Sequence, residues 1–307
     1  MITIVVNVKA GTADRLGQQG ISSMLAEACA EAGIDDVRVI LEKPSGMESR
    51  LRELADAGGE IWVGGGDGTI RTAGRLFRGS PTVLGVLPFG TMNLLARDLG
   101  IPLEPKEAVA ALARAPVIAI DVGRIGDDIF LNKSALGLYP EMIIDRDRRR
   151  RLFGYGKWYA MLRAAWRTFR RHRLMNVTVE VEGQKREIVS PAVVVALEEY
   201  EFEAGRLFHR RDLCTGLLTV YVSHQLEWLG SVGQVIRMFL GTLRQDPKLE
   251  VIKVERVDID FRHSRPVAND GEVEFVRGPV HYAVEPRALN VRYPAPPSGG
   301  QGETAGR

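Results

Sequence analysis

The first third of the chain alternates short apolar runs with longer stretches in which apolar residues recur at helical spacing. The apolar runs predict four strands, at Ile2–Asn7, Val37–Leu41, Glu60–Val63 and Val83–Leu87. The longer stretches between them predict helices over residues 16–32, 47–57 and 69–77. Strands that alternate with helices indicate a parallel sheet covered by helices, so we expect an α/β domain over residues 1–121.

After Pro116 the pattern changes to short β-type runs separated by turn residues. Such runs recur between residues 119 and 284, which is typical of an antiparallel sandwich or barrel. We therefore predict an all-β sandwich domain over residues 122–287. The last apolar run, residues 288–293, is predicted to return to the first domain. Residues 294–307 are rich in Pro and Gly and are predicted to form a disordered tail.

One predicted strand of the first domain breaks into glycines, because Ile61–Val63 is followed directly by Gly64-Gly65-Gly66-Asp67-Gly68-Thr69. Glycine accepts positive φ and lets another group approach the backbone closely. Exposed N–H groups in such a turn form a concave site for anions, and the start of the following helix adds a favourable dipole. An aspartate inside an anion site requires a metal ion or a proton beside it. The pattern favours metal-assisted nucleotide chemistry over a ligand-free turn between a strand and a helix.

The position of this loop supports the same interpretation. Ligands of parallel sheets bind beyond the carboxyl ends of the strands. The loops Asn7–Gly11 and Pro88–Thr91 follow the first and fourth predicted strands, and the glycine-rich loop follows the third. We therefore expect the three loops to converge. The chain contains no Walker A motif, so it is not a P-loop protein.

Composition narrows the function classes. The net charge is +2, which gives no global attraction to nucleic acid. Only two cysteines occur, Cys29 and Cys214, and their spacing fits a reducing, cytoplasmic compartment and excludes a thiolate zinc site. No uninterrupted apolar run reaches about 18 residues, so we expect no membrane-spanning helix.

Two motifs together carry a resemblance to a known family. Gly64–Thr69 resembles the glycine-rich loop of the diacylglycerol kinase catalytic-domain family, which includes bacterial soluble lipid kinases and sphingosine kinases. NAD kinases and phosphofructokinases have a related loop. Leu87-Pro88-Phe89-Gly90-Thr91-Met92-Asn93 resembles the P-x-G-T-x-N motif of the lipid kinases, and NAD kinases do not usually carry it in this form. Residues 130–137 resemble a further strand of the family that lines the cleft.

The resemblance implies a fold, a cofactor and a set of binding residues. The fold is an α/β N-terminal domain with an NAD kinase- or phosphofructokinase-like parallel sheet, followed by an all-β C-terminal sandwich. The cofactors are ATP and Mg²⁺. The implied binding residues lie in the three converging loops: Asn7, Gly11, Gly64, Gly65, Gly66, Asp67, Gly68, Thr69 and Thr91.

Asn269-Asp270-Gly271-Glu272 is the third motif. By itself, Asp-Gly is a hairpin turn signal. The resemblance implies instead that Glu272 is the general base that takes the proton from a lipid hydroxyl, with Asp270 beside it and Asp67 as a further catalytic residue. A carboxylate suits this task when burial or a neighbouring charge raises its pKa towards the working pH.

The chain departs from the family at a structural metal site. The family commonly has D-G-x-L-D, whereas this chain has Thr215-Gly216-Leu217-Leu218-Thr219. Threonine is a poorer ligand for a hard cation than a carboxylate, although Asp212 lies three residues earlier. Asp212 and Thr215 are therefore predicted to form a weak metal site at most.

A basic aromatic segment runs from Arg148 to Arg173, with ten Lys or Arg residues and no acidic ones. Its apolar residues fall at helical spacing, which suits the interface of an anionic membrane. A helix packed on the sandwich with a solvated basic face is the structural alternative, and RNA binding is a third. The membrane interpretation gives an enzyme that is cytoplasmic and peripheral at the membrane; we expect no nucleic-acid partner, and a second copy of the chain is a further candidate partner.

The sequence thus predicts an ATP-dependent kinase of diacylglycerol or a related lipid. Two alternatives stay open, an NAD kinase-like enzyme and a non-catalytic nucleotide- or lipid-binding protein. The missing aspartates at Thr215 and Thr219 are the main support for the second alternative.

Overall fold

The computed structural model describes residues 1–144, 174–181, 183–203, 206–210, 212–239 and 242–294. The chain divides into two compact units, which we call unit 1 (residues 1–120 with 288–307) and unit 2 (residues 121–287). The basic aromatic segment, residues 148–173, lies outside the described residues, and so does the predicted tail after Pro294.

Unit 1 is an α/β domain. Its strands are β1 (Ile2–Asn7), β2 (Val37–Glu42), β3 (Glu60–Gly65) and β4 (Val83–Pro88). Its helices are α1 (Gly11–Glu31), α2 (Pro44–Ala57), α3 (Asp67–Phe77), α4 (Leu94–Asp98) and α5 (Pro105–Arg114). The strands pair in parallel in the order β2-β1-β3-β4, and Asn290 and Val291 of the last strand add to β4, also in parallel. The predicted α/β class with a parallel sheet is confirmed.

The sheet of unit 1 is buried on both faces, as a sheet covered by helices requires. Consecutive residues of β1 and β3, such as Ile61, Trp62 and Val63, are all buried. At the start of β3, the Glu60 carboxylate accepts hydrogen bonds from Trp62 Nε1 at 2.6 Å and from Arg292 at 2.7 and 2.8 Å. Burial raises the pKa of Glu60, but the hydrogen bonds from Arg292 and Trp62 outweigh burial and hold this pKa below its ordinary value.

Unit 2 consists mainly of antiparallel strands. One layer contains β8 (Met175–Val181), β9 (Gln184–Ser190), β15 (Arg256–Asp260) and the first residues of β18 (Val280–Arg292). The second layer contains β7 (Lys133–Gly137), β10 (Ala192–Leu197), β13 (Leu218–Ser223), β14 (Leu249–Val254), β16 (Arg265–Asn269) and β17 (Glu272–Val276). Two further pairs are β5 (Val117–Ile125) with β6 (Asp128–Phe130), and β11 (Tyr200–Glu203) with β12 (Arg206–Arg210).

The inner faces of these two layers share one apolar core, which confirms the predicted sandwich. Phe130 and Tyr282 pack edge-on within it, with ring centroids 6.1 Å apart. The buried hydroxyl group of Tyr282 lies 3.0 Å from that of Ser134. Burial raises the pKa of Tyr282 far above its ordinary value, so this phenol is a hydrogen-bonding group and not an acid.

Unit 2 also contains elements that the sequence pattern did not predict. A helix, which we call α6, spans Trp228–Phe239, and strand β16 spans Arg265–Asn269. The stretch of residues 130–137, which resembles one strand of the family, is divided between β6 and β7. The division occurs where the backbone N–H groups of residues 131–133 turn towards the buried carboxylate of Asp270.

Candidate functional site

The three loops that follow β1, β3 and β4 meet in unit 1. The side-chain amide of Asn7 donates to Thr69 Oγ1 at 3.1 Å, which joins the first loop to the start of α3. The backbone N–H of Thr12 donates to the carbonyl oxygen of Phe89 at 2.9 Å, which joins the first loop to the loop after β4. The convergence follows from parallel strands ending at one edge of the sheet.

Close packing against neighbouring atoms, and not a left-handed backbone conformation, explains most of the glycines in these loops. Gly64, Gly65 and Gly66 all have negative φ, so none needs the left-handed region. A Cβ atom on Gly64 would lie 2.9 Å from the side chain of Phe89, and one on Gly65 would lie 2.5 Å from Thr69 Cβ. One on Gly90 would lie 2.6 Å from Gly66 Cα. At Gly64, Gly65 and Gly90, the packing of the loops themselves excludes a side chain.

Gly66 and Gly11 are different. A Cβ atom on Gly66 would have its nearest contact at 3.8 Å, and one on Gly11 would have its nearest contact at 3.5 Å, with Thr91 Oγ1. Both distances are ordinary van der Waals contacts, and φ is not positive at either residue. Neither the backbone nor the packing of unit 1 therefore requires glycine at these two positions.

Asp67 fixes the loop after β4. It is the first residue of α3, and its carboxylate accepts hydrogen bonds from the backbone N–H groups of Leu94 at 2.6 Å and Asn93 at 3.2 Å. Asn93 has φ of 51°, and its side chain accepts from Gly90 N at 2.9 Å and donates to Gly90 O at 3.0 Å. The two side chains together hold Gly90 against Gly66. Asn93 belongs to the motif that ends the loop after β4, but its role depends on contacts that the motif does not show.

Thr91 and Lys9 complete the loops of unit 1. Thr91 is exposed beside Gly11, so its hydroxyl group is accessible. The ammonium group of Lys9 donates to the carboxylate of Asp14 at 2.8 Å, and this hydrogen bond raises the pKa of Lys9. Lys9 is thus paired with a carboxylate, whereas Thr91 is exposed in the loop after β4.

In unit 2, the Asp-Gly pair forms the turn of a hairpin. Strands β16 and β17 pair from Asn269 opposite Glu272 onwards, and the two residues between them have φ of 48° (Asp270) and 89° (Gly271). Two consecutive positive φ angles are what a type I′ turn requires. The turn that the dipeptide signals is therefore present, and it sets Glu272 at the exposed start of β17.

The Asp270 carboxylate also has a structural task. It is only 5% exposed and accepts three backbone hydrogen bonds, from Leu131 N at 2.7 Å, Asn132 N at 2.9 Å and Lys133 N at 3.0 Å. The N–H group of Asp270 itself donates to the carbonyl oxygen of Lys133 at 2.9 Å. Asp270 thereby joins the hairpin to the chain between β6 and β7, and this contact is the reason for the division between those strands.

The segment predicted as a weak metal site uses its polar groups internally. Asp212 Oδ1 accepts from Cys214 N at 2.9 Å, and Thr215 Oγ1 lies 3.3 Å from Leu217 N. The nearby carboxylate of Asp121 accepts from Gly216 N at 2.6 Å. Burial raises the pKa of the Cys214 thiol, and the carboxylates of Asp121 and Asp212 raise it further.

These donors do not fit a bound Mg²⁺. Among the described residues, no three His, Cys, Asp or Glu side chains are grouped so that they could hold a metal ion. The nearby acidic groups are engaged by backbone N–H donors, and Thr215 supplies only a neutral hydroxyl group. Asp212 and Thr215 therefore do not supply a ligand set for Mg²⁺.

Comparison with known families accounts for both halves of the chain. The family described as "Diacylglycerol kinase catalytic domain" matches residues 1–125, and "YegS C-terminal NAD kinase beta sandwich-like domain" matches residues 146–293. The chain contains a diacylglycerol kinase catalytic domain over residues 1–125 and a YegS-type C-terminal domain over residues 146–293. It is thus a member of a lipid kinase family, as the two motifs of unit 1 predicted.

Named relatives and a solved structure resemble this chain over between a third and nearly all of its length. "Probable lipid kinase YegS-like" of Chromohalobacter salexigens is 28% identical over 245 residues, which cover 77% of this chain and 76% of the relative. The protein of the same name from Pseudomonas putida is 41% identical over 104 residues, which cover 33% and 35% of the two chains. A solved structure of a diacylglycerol kinase from Bacillus anthracis str. Sterne superposes with a TM-score of 0.69 over 95% of this chain and 96% of that one. Its sequence identity is 20%, so it supports the fold alone.

A kinase whose substrate is a lipid has to reach that substrate at a membrane surface. Within the described part of the chain, no helix combines the length and hydropathy needed to cross a bilayer. The segment predicted to contact the membrane, residues 148–173, falls in the part that is not described.

Proposed function

We propose that this chain is an ATP-dependent lipid kinase that transfers the γ-phosphoryl group of MgATP to a hydroxyl group of diacylglycerol or a related lipid. Membership of the diacylglycerol kinase family supports the enzyme class. The observation that supports nucleotide binding is the glycine at position 66. The surrounding protein has room for a side chain there, but Gly66 has none.

A phosphate group accounts for glycine at this position. Gly66 is the N-cap residue of α3, and the first N–H groups of a helix have no acceptor within the helix. Those N–H groups and the helix dipole attract an anion to the space beside Gly66. A methyl group at Gly66 would fit the protein but would occupy that space. The same argument applies to Gly11, which faces Thr91 across the loops.

Replacing Gly66 with alanine tests this proposal. We expect Gly66→Ala to lower ATP affinity by about tenfold or more, because a close phosphate contact is lost. The free energy of unfolding should change by less than about 1 kcal/mol, since alanine is a poorer N-cap than glycine but also restricts the unfolded chain. Calorimetric titration with ATP measures the affinity, and urea unfolding measures the stability.

The matched control is Gly20→Ala. Gly20 lies in α1, and a Cβ atom there would meet its nearest neighbour at the ordinary distance of 3.5 Å. The control should bind ATP as the wild type does. If Gly66→Ala also binds ATP with wild-type affinity, the phosphates do not lie beside Gly66 and the proposed nucleotide site is wrong.

We assign the proton transfer to Glu272. A carboxylate that is exposed at the start of a strand is accessible to a substrate hydroxyl group and can accept its proton as the phosphoryl group is transferred. Asp270 supports this residue by holding the turn that precedes it. Asp67 acts as a positioning residue, because its carboxylate fixes the loop that carries Gly90 and Thr91.

The test is transfer of labelled γ-phosphate from MgATP to a panel of lipids in mixed vesicles. We expect a labelled lipid product from the wild type and a loss of about 100-fold or more in Glu272→Gln, the usual range for removing a general base. Glu274→Gln is the matched control, since Glu274 is exposed on the same strand two residues further on. Equal activity of the two variants would refute the base assignment, and ATP binding with no product from the wild type would favour a non-catalytic protein.

A further inference from the structure

Helix α6 of unit 2 has its polar and apolar faces reversed. Ser231 and Gln234 are only 3% and 9% exposed, whereas Leu229 and Ile236 are 60% and 52% exposed. A helix on the surface of a globular domain normally buries its apolar face and exposes its polar face. The reversed arrangement indicates that the outer face of α6 is suited to contact with an apolar environment.

The polar contacts of α6 fix this orientation. Gln234 Oε1 accepts from the buried hydroxyl group of Ser223 at 2.6 Å, and Gln234 Nε2 donates to the carbonyl oxygen of Lys248 at 3.4 Å. Rotating the helix to bury Leu229 and Ile236 would break both hydrogen bonds. The outward position of the two apolar residues is therefore part of the packed structure.

Two neighbouring residues extend the apolar surface. Leu226, just before the helix, is 56% exposed. Gly233 lies one turn from both Leu229 and Ile236, and a Cβ atom on it would meet nothing within 4 Å. We call these four residues, Leu226, Leu229, Gly233 and Ile236, the α6 apolar face.

We propose that the α6 apolar face inserts into the surface of an anionic lipid membrane. This inference rests on the proposed function, since a kinase whose substrate is a lipid has to work where that lipid resides. The α6 apolar face would be a membrane-docking surface in the described part of the chain. In the sequence it lies apart from residues 148–173.

The charges around the face match an anionic membrane. Over residues 228–248 the basic side chains of Arg237, Arg244 and Lys248 are exposed, while the single acidic residue, Asp246, is buried. Arg244 forms an ion pair with Glu199, and Glu227 precedes the helix. An apolar helix face followed in the chain by exposed basic side chains is the pattern of a helix that lies in the membrane interface.

A second copy of the chain is a weaker candidate for this surface. A stable protein interface buries about 800 Å² on each partner and involves about 20 to 30 residues a side. The α6 apolar face offers three large apolar side chains, two on the helix and one just before it. Such a surface is too small for a stable dimer, whereas at a membrane each inserted side chain contributes separately to binding.

The experiment compares Leu229→Ser/Ile236→Ser with the wild type in co-sedimentation with vesicles of phosphatidylcholine and anionic phosphatidylglycerol. We expect the double variant to bind about tenfold or more weakly, because two inserted apolar side chains are lost. The matched control is Leu103→Ser/Val189→Ser, which removes two exposed apolar residues elsewhere and should bind as the wild type does. Urea unfolding of all three proteins checks that the fold is retained.

A fluorescent label reports insertion directly. An environment-sensitive fluorophore on Gly233→Cys, in a Cys214→Ser background, should shift to the blue when vesicles are added, and the same label on exposed Ser49→Cys of α2 should not. Unchanged binding of the double variant, or no blue shift at Gly233→Cys, would overturn the proposal. A wild-type dimer that the double variant abolishes in light scattering would overturn it too, because the face would then join two copies.

An assay without a membrane distinguishes failure of the membrane-docking proposal from failure of the kinase proposal. Phosphoryl transfer to a short-chain lipid dissolved as monomers needs no membrane, so the double variant should match the wild type in that assay. If the wild type transfers no phosphate to any lipid, the kinase proposal fails while the binding and labelling experiments still give their answer.

Discussion

Replacing Asp270 with asparagine removes the charge that joins the hairpin of unit 2 to residues 131–133. Asparagine fits the φ of 48° and keeps one acceptor oxygen, so the backbone is not strained. Oδ1 can still accept from Asn132 and Lys133, but the bond from Leu131 N is lost because an amide nitrogen cannot accept. A buried hydrogen bond to a charged group contributes about 2 kcal/mol and one between neutral groups about 1 kcal/mol. One lost bond and two weakened bonds give a destabilisation of about 4 kcal/mol.

Urea unfolding, followed by circular dichroism, measures this loss. With an m value of about 2.5 kcal/mol/M, a loss of about 4 kcal/mol lowers the midpoint of the transition of unit 2 by about 1.6 M. The matched control is Asp258→Asn, which removes an exposed carboxylate paired with His281 at 2.8 Å. An exposed pair of this kind contributes about 0 to 1 kcal/mol, so the control midpoint should move by less than about 0.4 M.

A shift for Asp270→Asn no larger than that of Asp258→Asn would refute the structural role of the Asp270 carboxylate. A measurement of lipid kinase activity distinguishes a structural role of Asp270 from a catalytic one. At low temperature, where the variant is folded, a residue that only holds the turn should leave most of the lipid kinase activity per folded molecule. A loss as large as that of Glu272→Gln, with the fold intact, would place Asp270 in the chemistry itself.

Two further predictions concern unit 1. Gly90→Ala should destabilise unit 1 by about 1 to 3 kcal/mol in urea unfolding, because its Cβ atom would lie 2.6 Å from Gly66 Cα and force the loops apart; a midpoint equal to that of the wild type would show that the loops are not closely packed. The lowered pKa of Glu60 gives stability that is present above the ordinary carboxyl pKa of about 4.3 and is lost as the pH falls through the lowered value. Arg292→Gln should therefore flatten the acid side of the profile of stability against pH, and a profile that keeps its wild-type slope would contradict the role of the ion pair.

Much of unit 1 could be predicted because its signals are local. The strands of unit 1 are apolar runs bounded by turn residues, and each loop begins where a strand ends, so the order of residues gives the edge of the sheet at which the loops meet. The glycines of Gly64–Thr69 were expected to serve either positive φ or close approach. The structure shows negative φ at all three leading glycines, and close packing excludes a side chain at Gly64 and Gly65 but not at Gly66.

The elements of unit 2 that the pattern missed lack such local signals. Strand β16 contains Pro266, and proline within an apolar run argues against a strand. Helix α6 has polar residues on its buried side, so its pattern does not show which face meets the protein. The break between β6 and β7 depends on a carboxylate more than a hundred residues away in the chain.

The α/β and all-β division, the family and the loops that carry the candidate phosphate site follow from the amino-acid sequence alone, because apolar periodicity and glycine motifs act over a few neighbouring residues. What several of those residues do became visible in the folded structure. It distinguished Gly90, which the packing requires, from Gly66, which it does not, and it gave Asp67 and Asp270 their backbone partners. These roles arise from contacts between segments distant in the chain, and the chain forms such contacts only when its layers pack against each other.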